Sequence, residues 1–223
     1  MKKDITYITE EQKKIVGLVT AKFKDYYLTG GTALSFYCNH RFSEDLDFFT
    51  QKYERKDPDK IMSFISAKTG YEFKLEAEQI DPKLVPMKVY FMELKRGHIL
   101  KIDFVQDFMK NIKQVKNGLH SAEDIYLRKV AISVGSKEKE SITGGILSTG
   151  RQTAKDLYDI FHLSLNYKPV SAFFLEHFPK DKAENLIVWY RSFNRMNLKM
   201  DLLDLIPNVN TAEIFKYLDQ EIL

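Results

Sequence analysis

The spacing of apolar and polar residues divides the chain near its middle. In the first half, apolar positions recur at helical intervals over residues 9–24, where Thr9 and Gln12 have the spacing of a capping box. Short runs of aromatic and branched residues follow, each bounded by turn residues, and these runs predict strands. The predicted strands are residues 26–29, 46–50, 71–78, 87–94 and 99–105, with helices that begin near residues 32 and 57 between them. We therefore expect a sheet flanked by helices.

From about residue 120, helical spacing replaces the strand pattern. The predicted helices are residues 121–134, 153–165, 180–196 and 211–222. Residues 135–150 are polar and contain glycines, which predicts an exposed loop. The pattern thus predicts an α/β (α+β) domain with a mixed sheet over residues 1–115 and an all-helical domain over residues 116–223.

Composition and charge narrow the class of protein. With 223 residues, of which 44% are hydrophobic and 13% aromatic, the chain can bury a substantial core. A net charge of +3 is too small to indicate nucleic-acid binding by itself. Cys38 is the only cysteine, the first residues lack the apolar run of a signal peptide, and no window approaches the roughly 20 apolar residues of a membrane span. We expect a cytoplasmic protein without a membrane role.

Two neighbouring motifs carry the clearest chemical signal. Gly30 and Gly31 lie between a predicted strand and a predicted helix, where backbone amides and the positive end of the helix can meet a phosphate. Asp45 and Asp47 are two residues apart on a predicted strand, so both carboxylates can point to one face and bind a hard cation. Each motif alone has an ordinary explanation, as a tight turn or as acidic surface residues. Together they are typical of a site for a metal ion and a nucleoside triphosphate.

Asp103 interrupts an apolar strand and is the candidate third acid. Nucleotidyl transfer with two metal ions commonly uses about three carboxylates around cations roughly 3.5 to 4 Å apart. Asp103 would then hold Mg²⁺ together with the two earlier aspartates. The alternative is an aspartate at a sheet edge that faces solvent, with Lys101 beside it on the same strand face. The sequence leaves both interpretations open.

The glycine and aspartate motifs resemble those of a known enzyme family. Residues 28–34 (LTGGTAL) and 40–49 (HRFSEDLDFF) are similar to the opening motif of the AbiEii/AbiGii-type nucleotidyltransferase toxins, which belong to the DNA-polymerase-beta-like nucleotidyltransferase superfamily. Thr32 stands where a serine is usual in the superfamily, and it keeps the hydroxyl. The resemblance implies a minimal nucleotidyltransferase fold. The residues that it assigns to nucleotide or metal binding are Gly30, Gly31, Thr32, Asp45, Asp47 and Asp103.

The resemblance continues to about residue 165. Residues 123–129 and 151–160 are similar to the third and fourth motifs of the family. By this resemblance, Lys129 contacts the triphosphate and Asp156 is a catalytic acid at the nucleotide pocket. On the residues alone, Lys129 can equally be a solvated lysine on a packed helix.

Two further charged groups have alternative roles. Arg41 is expected either to contact a phosphate or to hold Asp45 or Asp47 by a charge-assisted hydrogen bond. Arg151, Lys155 and Asp159 recur every four residues, which predicts pairing along one helix face. For Lys155 and Asp159 we expect this structural pair.

The resemblance also implies an activity. It predicts an enzyme of the EC 2.7.7 type that uses Mg²⁺ to transfer a nucleoside monophosphate from an NTP to an acceptor hydroxyl. It further implies the toxin of a toxin–antitoxin or phage-defence system, with a separate antitoxin as protein partner and tRNA as acceptor. The lysines available for tRNA are Lys110, Lys113, Lys116 and those within residues 137–139. The alternatives are a protein or small-molecule acceptor, and a non-catalytic binding protein, against which the three intact acids argue.

Overall fold

The computed structural model describes residues 4–135, 139–140, 146–147 and 150–223, which belong to two units. The first unit ends at Asp124 and the second begins at Ile125. The assignment of catalysis to residues 1–115 and of a helical domain to residues 116–223 stays a prediction. Each unit is described by itself below.

A mixed five-stranded sheet organises the first unit. The strands are β1 (Tyr27–Thr29), β2 (Leu46–Thr50), β3 (Phe73–Gln79), β4 (Met87–Glu93) and β5 (Ile99–Gln106). Their order across the sheet is β1-β2-β5-β4-β3. The pair β2 and β5 is parallel, and the other neighbouring pairs are antiparallel. The predicted mixed sheet is therefore confirmed, and β5 is its central strand.

Helices flank this sheet, and their ends follow from local residues. The helices are α1 (Ile5–Lys22), α2 (Gly30–Cys38) and α3 (Asp57–Thr69), while α4 (Ala122–Val134) crosses the boundary between the units. α3 has Pro58 in its first turn and ends at Gly70, whose φ of 74° suits a glycine. The predicted capping box of α1 is wrong. Asp4 caps this helix by accepting from the Tyr7 amide at 3.1 Å, so Gln12 lies in the third turn and is free for another role.

Alternation along β2 and β5 separates a core face of the sheet from the face that carries the acids. On the core face, Phe48 stacks on Phe104 with ring centroids 5.6 Å apart, and Tyr90 meets Phe104 edge-on at 5.9 Å. Successive strand residues point to opposite faces, so Asp47 and Asp103 lie on the other face. The parallel register places Asp47 directly beside Asp103.

The second unit is mainly helical. Beyond α4, its helices are α5 (Ala154–Asn166), α6 (Val170–His177), α7 (Ala183–Arg191), α8 (Arg195–Leu205) and α9 (Thr211–Ile222). The single helix predicted over residues 180–196 is wrong. Its chain turns after α7, because Asn194 caps a new helix by accepting from the amides of Met196 and Asn197, both at 3.0 Å. The sequence pattern also missed α6.

Two short strands depart from the all-helical prediction for the second half of the chain. β6 (Lys139–Glu140) pairs antiparallel with β7 (Ile146–Leu147). Most of the exposed loop predicted over residues 135–150 lies outside the described residues. Near the C-terminus, Trp189 and Tyr190 are fully buried. Within the described ranges, no helix has the length and apolar character required to cross a membrane.

Candidate active site

The glycine turn touches the acid-bearing strand. β1 ends at Thr29 and α2 begins at Gly30, as the sequence predicted. Gly30 has a φ of 70°, and a Cβ added to it would lie 2.7 Å from Asp47 Oδ2. A Cβ added to Gly31 would lie 2.3 Å from Arg41 Nη2. Gly30 needs glycine because of its positive φ, and a side chain at either position would displace a charged group that lies against the turn.

Asp103 is a buried acid with an unsatisfied oxygen. It lies on the central strand and is 7% exposed, which excludes the solvent-facing edge position. Asp103 Oδ2 accepts from Lys101 Nζ at 2.6 Å, whereas Oδ1 is buried with no hydrogen-bond partner in the described part of the chain. Burial raises the pKa of Asp103 and outweighs the opposing effect of Lys101, while the negative charge of Asp45 raises the pKa further.

The chemistry of this acid set suits a hard cation. Divalent metals such as Mg²⁺ take oxygen ligands, and a buried carboxylate oxygen without a donor gains from a cation. In this structure the positive charge next to Asp103 comes from Lys101. Burial lowers the pKa of Lys101, but Asp103, Asp45 and Asp47 outweigh this effect and raise it. Among the described residues, no group of three or more acidic, histidine or cysteine side chains is already arranged as a metal site. Metal binding by these acids therefore requires some rearrangement of their side chains.

Thr32 and Arg41 support the backbone next to the acids. The Thr32 hydroxyl donates a hydrogen bond to the Asp45 carbonyl oxygen. Arg41 is 7% exposed, and its Nη1 donates to the Phe42 carbonyl oxygen at 3.0 Å. These contacts hold the chain before β2, and the predicted hydrogen bond from Arg41 to Asp45 or Asp47 stays a prediction. A phosphate contact by Thr32 or Arg41 stays a prediction.

His120 contacts the end of β1 just before the glycine turn, a role that the sequence did not predict. It is fully buried, and its amide donates to the Leu28 carbonyl oxygen at 3.0 Å. Its Nδ1 lies 2.9 Å from Thr29 Oγ1, and its ring packs against Tyr27 with centroids 4.2 Å apart. A single histidine far along the chain from the glycines carries no local signal for this role.

A second cluster of charges lies in the second unit. Lys129 Nζ on α4 lies 2.6 Å from Asp156 Oδ1 and 2.8 Å from Asp159 Oδ2, both on α5. Arg151 donates two hydrogen bonds to Asp156, from Nε to Oδ2 at 2.5 Å and from Nη2 to Oδ1 at 2.7 Å. Lys129, Asp156 and Asp159 are all at most 6% exposed. Lys129 is thus a buried, paired cation and not a solvated surface lysine.

Local sequence explains why this cluster forms where α5 begins. Thr153 is the N-cap, its Oγ1 accepting from the Asp156 amide at 3.1 Å and donating to Asp156 Oδ2 at 2.8 Å. Trp189 Nε1 donates to the Arg151 carbonyl oxygen at 3.0 Å. A Cβ added to Gly150 would lie 2.2 Å from the Ser133 carbonyl oxygen, so a glycine is needed just before the cluster.

The charged groups of this cluster shift the pKa values of Asp156 and Lys129. Burial raises the pKa of Asp156, but the hydrogen bond from Arg151 and the charge of Lys129 outweigh it and bring this pKa down to about 2. Burial lowers the pKa of Lys129, and the two aspartates more than offset that effect and raise it. Both shifts favour the charged forms of Asp156 and Lys129 at neutral pH.

Comparison with known proteins identifies the family. The model of the family described as "Nucleotidyl transferase AbiEii toxin, Type IV TA system" matches residues 18–221, nearly the whole chain. The chain belongs to the AbiEii family. It is therefore a nucleotidyl transferase and a toxin of the type IV toxin–antitoxin class, with an NTP as substrate and an antitoxin as partner.

Solved structures show the same fold. The chain matches the crystal structure of JHP933 from Helicobacter pylori with a TM-score of 0.61 and 19% identity, over 100% of this chain and 91% of that one. It also matches an H. pylori protein provisionally described as a nucleotidyltransferase, with a TM-score of 0.60 and 19% identity over 99% of this chain and 94% of that one. No protein of curated function matches the sequence. At this identity, the two structures support the fold alone.

The described residues do not contain one ion pair that the sequence predicts along α5. Asp159 is buried and pairs with Lys129, whereas Lys155 is exposed to solvent. The prediction of a Lys155–Asp159 pair is wrong because the buried lysine of α4 satisfies the carboxylate. Arg151 precedes the helix, so the four-residue spacing from Arg151 does not describe a helix face.

Proposed function

We propose that this AbiEii family member uses Mg²⁺, held by Asp45, Asp47 and Asp103, to transfer a nucleoside monophosphate from an NTP to a hydroxyl of tRNA. The observation that supports this most directly is the pairing of Asp47 with Asp103 on adjacent parallel strands, beside the glycine turn. Asp103 there keeps one buried oxygen without a donor. The glycine turn, which we propose as the phosphate site, thus lies against the acids that we propose as metal ligands.

The reaction joins the acceptor oxygen to the α-phosphorus of the NTP. The bond from that phosphorus to the bridging oxygen breaks, pyrophosphate leaves, and the acceptor hydroxyl releases its proton to water. Bound Mg²⁺ would stabilise the negative charge on the phosphates and favour the deprotonated acceptor. The protein contributes backbone amides at Gly30 and Gly31 and the positive end of α2, which suit the phosphates.

Lys129 and Asp156 have proposed roles of different kinds. From the family resemblance alone we infer that Lys129 contacts the triphosphate; within the second unit its ammonium group pairs with Asp156 and Asp159. Asp156 touches Lys129, Arg151 and Thr153, and every one of these contacts orients a neighbour. We therefore infer that Asp156 positions the two cations.

The proposal of tRNA as acceptor rests on the family resemblance and on available positive charge. Lys110, Lys113 and Lys116 are exposed in the first unit, and Lys113 Nζ lies 3.3 Å from Glu123 Oε2. Phosphate contacts of this kind are sequence-independent. The predicted contribution of residues 137 and 138 concerns residues that the structure does not describe. Since NTPs and tRNA are cytoplasmic, we place the protein there and propose a role in phage defence together with its antitoxin.

The decisive experiment follows label from NTP to acceptor. Each of the four NTPs, labelled at the α-phosphate, is incubated with total RNA and Mg²⁺ and with wild type or Asp47→Ala. We expect wild type to label RNA of tRNA size and Asp47→Ala to lose the activity. Glu10→Ala is a matched control, since Glu10 is an exposed acid on α1.

Three outcomes would contradict parts of the proposal. Label in protein and not in RNA would replace tRNA with a protein acceptor. Equal labelling by wild type and Asp47→Ala would refute catalysis at these acids. Transfer that is unchanged when EDTA removes divalent metal would refute the role of Mg²⁺.

A further inference from the structure

Gln12 ties the chain immediately before the acid-bearing strand. Its side-chain nitrogen Nε2 donates to the Ser43 carbonyl oxygen and to the Glu44 carbonyl oxygen, both at 2.9 Å. A side-chain amide has two N–H donors, so these two bonds use both of them. The contacts reach across more than thirty positions of sequence, from α1 to the residues next to Asp45.

These bonds complete a continuous row of side-chain contacts to the backbone. The segment between Asn39 and Asp45 has no helix or strand. Within it, the Phe42 carbonyl oxygen accepts from Arg41 and the Asp45 carbonyl oxygen accepts from Thr32. Together with the two bonds from Gln12, four consecutive carbonyl groups before β2 receive a side-chain donor. Such a segment is held in one conformation without secondary structure of its own.

Gln12 is also placed to act as a fixed support. It is 1% exposed on α1, one turn before Ile15, which is fully buried. A buried amide is costly unless its donors are satisfied, and here the satisfied donors both point to the loop. α1 carries none of the residues expected to contact metal or nucleotide, so Gln12 has no evident role in binding either directly.

We propose that Gln12 is a positioning residue that holds the backbone carrying Asp45 and Asp47 in place for metal binding. The inference rests on the proposed metal-dependent function of these acids. By fixing the two carbonyl groups that precede Asp45, Gln12 sets the direction in which β2 begins. Without it, the cation must order this segment when it binds, and that cost weakens metal affinity.

Replacement of Gln12 by methionine tests the role directly. Gln12→Met keeps the approximate length and removes both donors. Without these two hydrogen bonds the segment before β2 is less ordered in the metal-free protein, and the cation must order it on binding, so we expect about tenfold weaker metal binding. The control is Ile15→Val, which lowers stability through packing on the same helix and leaves the loop contacts in place.

The measurement is Mn²⁺ binding to the nucleotide-free protein by electron paramagnetic resonance. We expect weaker binding for Gln12→Met and unchanged binding for Ile15→Val, with urea unfolding of both to compare their stability. Gln12→Asn keeps the amide but shortens the side chain by one methylene. Its Mn²⁺ affinity should lie between those of wild type and Gln12→Met. If Gln12→Met does not fold, the Mn²⁺ affinity of Gln12→Asn tests the inference instead.

A kinetic measurement separates positioning from chemistry. For Gln12→Met, the Mg²⁺ concentration that gives half-maximal transfer should rise about tenfold, while kcat at saturating Mg²⁺ stays near the wild-type value. Wild-type Mn²⁺ affinity in both Gln12 variants would overturn the inference and leave the metal site intact. A wild-type protein that binds no Mn²⁺ would overturn the proposed site and this inference with it.

Discussion

Substitution of Asp156 by asparagine should destabilise the second unit at neutral pH and much less in acid. In the folded protein Arg151 and Lys129 hold the pKa of Asp156 at about 2, against an ordinary value of 3.8. Each pKa unit corresponds to about 1.4 kcal/mol, so the ionised carboxylate contributes about 2 kcal/mol at pH 7. Lys129 keeps Asp159 at 2.8 Å in this variant. The loss of unfolding free energy should therefore stay below the roughly 3–5 kcal/mol expected when a buried charge keeps no partner at all.

The pH dependence distinguishes this electrostatic contribution from simple loss of packing. Because the folded pKa lies below the unfolded value, the stabilisation is complete well above pH 4 and disappears as the pH falls through about 2. At pH 3 only about 1 kcal/mol of the difference between wild type and Asp156→Asn should remain.

Trp189 gives a local signal for the assay. It is the only tryptophan, is fully buried, and donates to the Arg151 carbonyl oxygen beside the cluster. Urea unfolding followed by its fluorescence at pH 7 and pH 3 therefore reports on the second unit. Asp201→Asn is the control, since Asp201 is exposed on α8 and its substitution should change stability by no more than about 0.5 kcal/mol. A difference that is equal at the two pH values would refute the electrostatic account.

Two further predictions concern the first unit. Lys101→Met should tighten Mn²⁺ binding measured by electron paramagnetic resonance, because it removes the cation that now pairs with Asp103; unchanged or weaker binding would show that the lysine does not compete with the metal. Gly30→Ala should abolish most nucleotide transfer, because its φ of 70° and the approach of Asp47 leave no room for a Cβ. Gly17→Ala is the control, since nothing lies within 4 Å of a Cβ there; equal transfer by both variants would contradict the need for glycine at the turn.

The parts of the fold that sequence predicted are those fixed by local signals. The strand, glycine turn and helix around Gly30 follow from a short apolar run and from residues that tolerate positive φ. The strands that carry Asp47 and Asp103 follow from their short apolar and aromatic runs. These features depend on neighbours within a few residues, so a single sequence contains enough information to place them.

The supporting contacts depend on residues far apart in the chain. Gln12 has the spacing of a helix cap, yet it serves a loop that lies about thirty residues later. Asp159 has a lysine four residues earlier on its own helix, yet it pairs with Lys129 on another helix. The break before Asn194 lacks a glycine or proline to mark it. In each case tertiary contacts override a local pattern that remains chemically reasonable.

The two buried acids with the most contrasting surroundings, Asp103 and Asp156, differ in what they can still bind. Each oxygen of Asp156 accepts two hydrogen bonds: Oδ1 from Lys129 and Arg151, and Oδ2 from Arg151 and Thr153. Asp103 accepts one at Oδ2 and none at Oδ1. Their pKa values accordingly move in opposite directions, down for Asp156 and up for Asp103. An acid whose oxygens are all occupied can orient its donors but has little capacity for a metal, whereas a buried oxygen without a donor gains most from a cation. This contrast supports the proposed metal role of Asp103 and the proposed positioning role of Asp156.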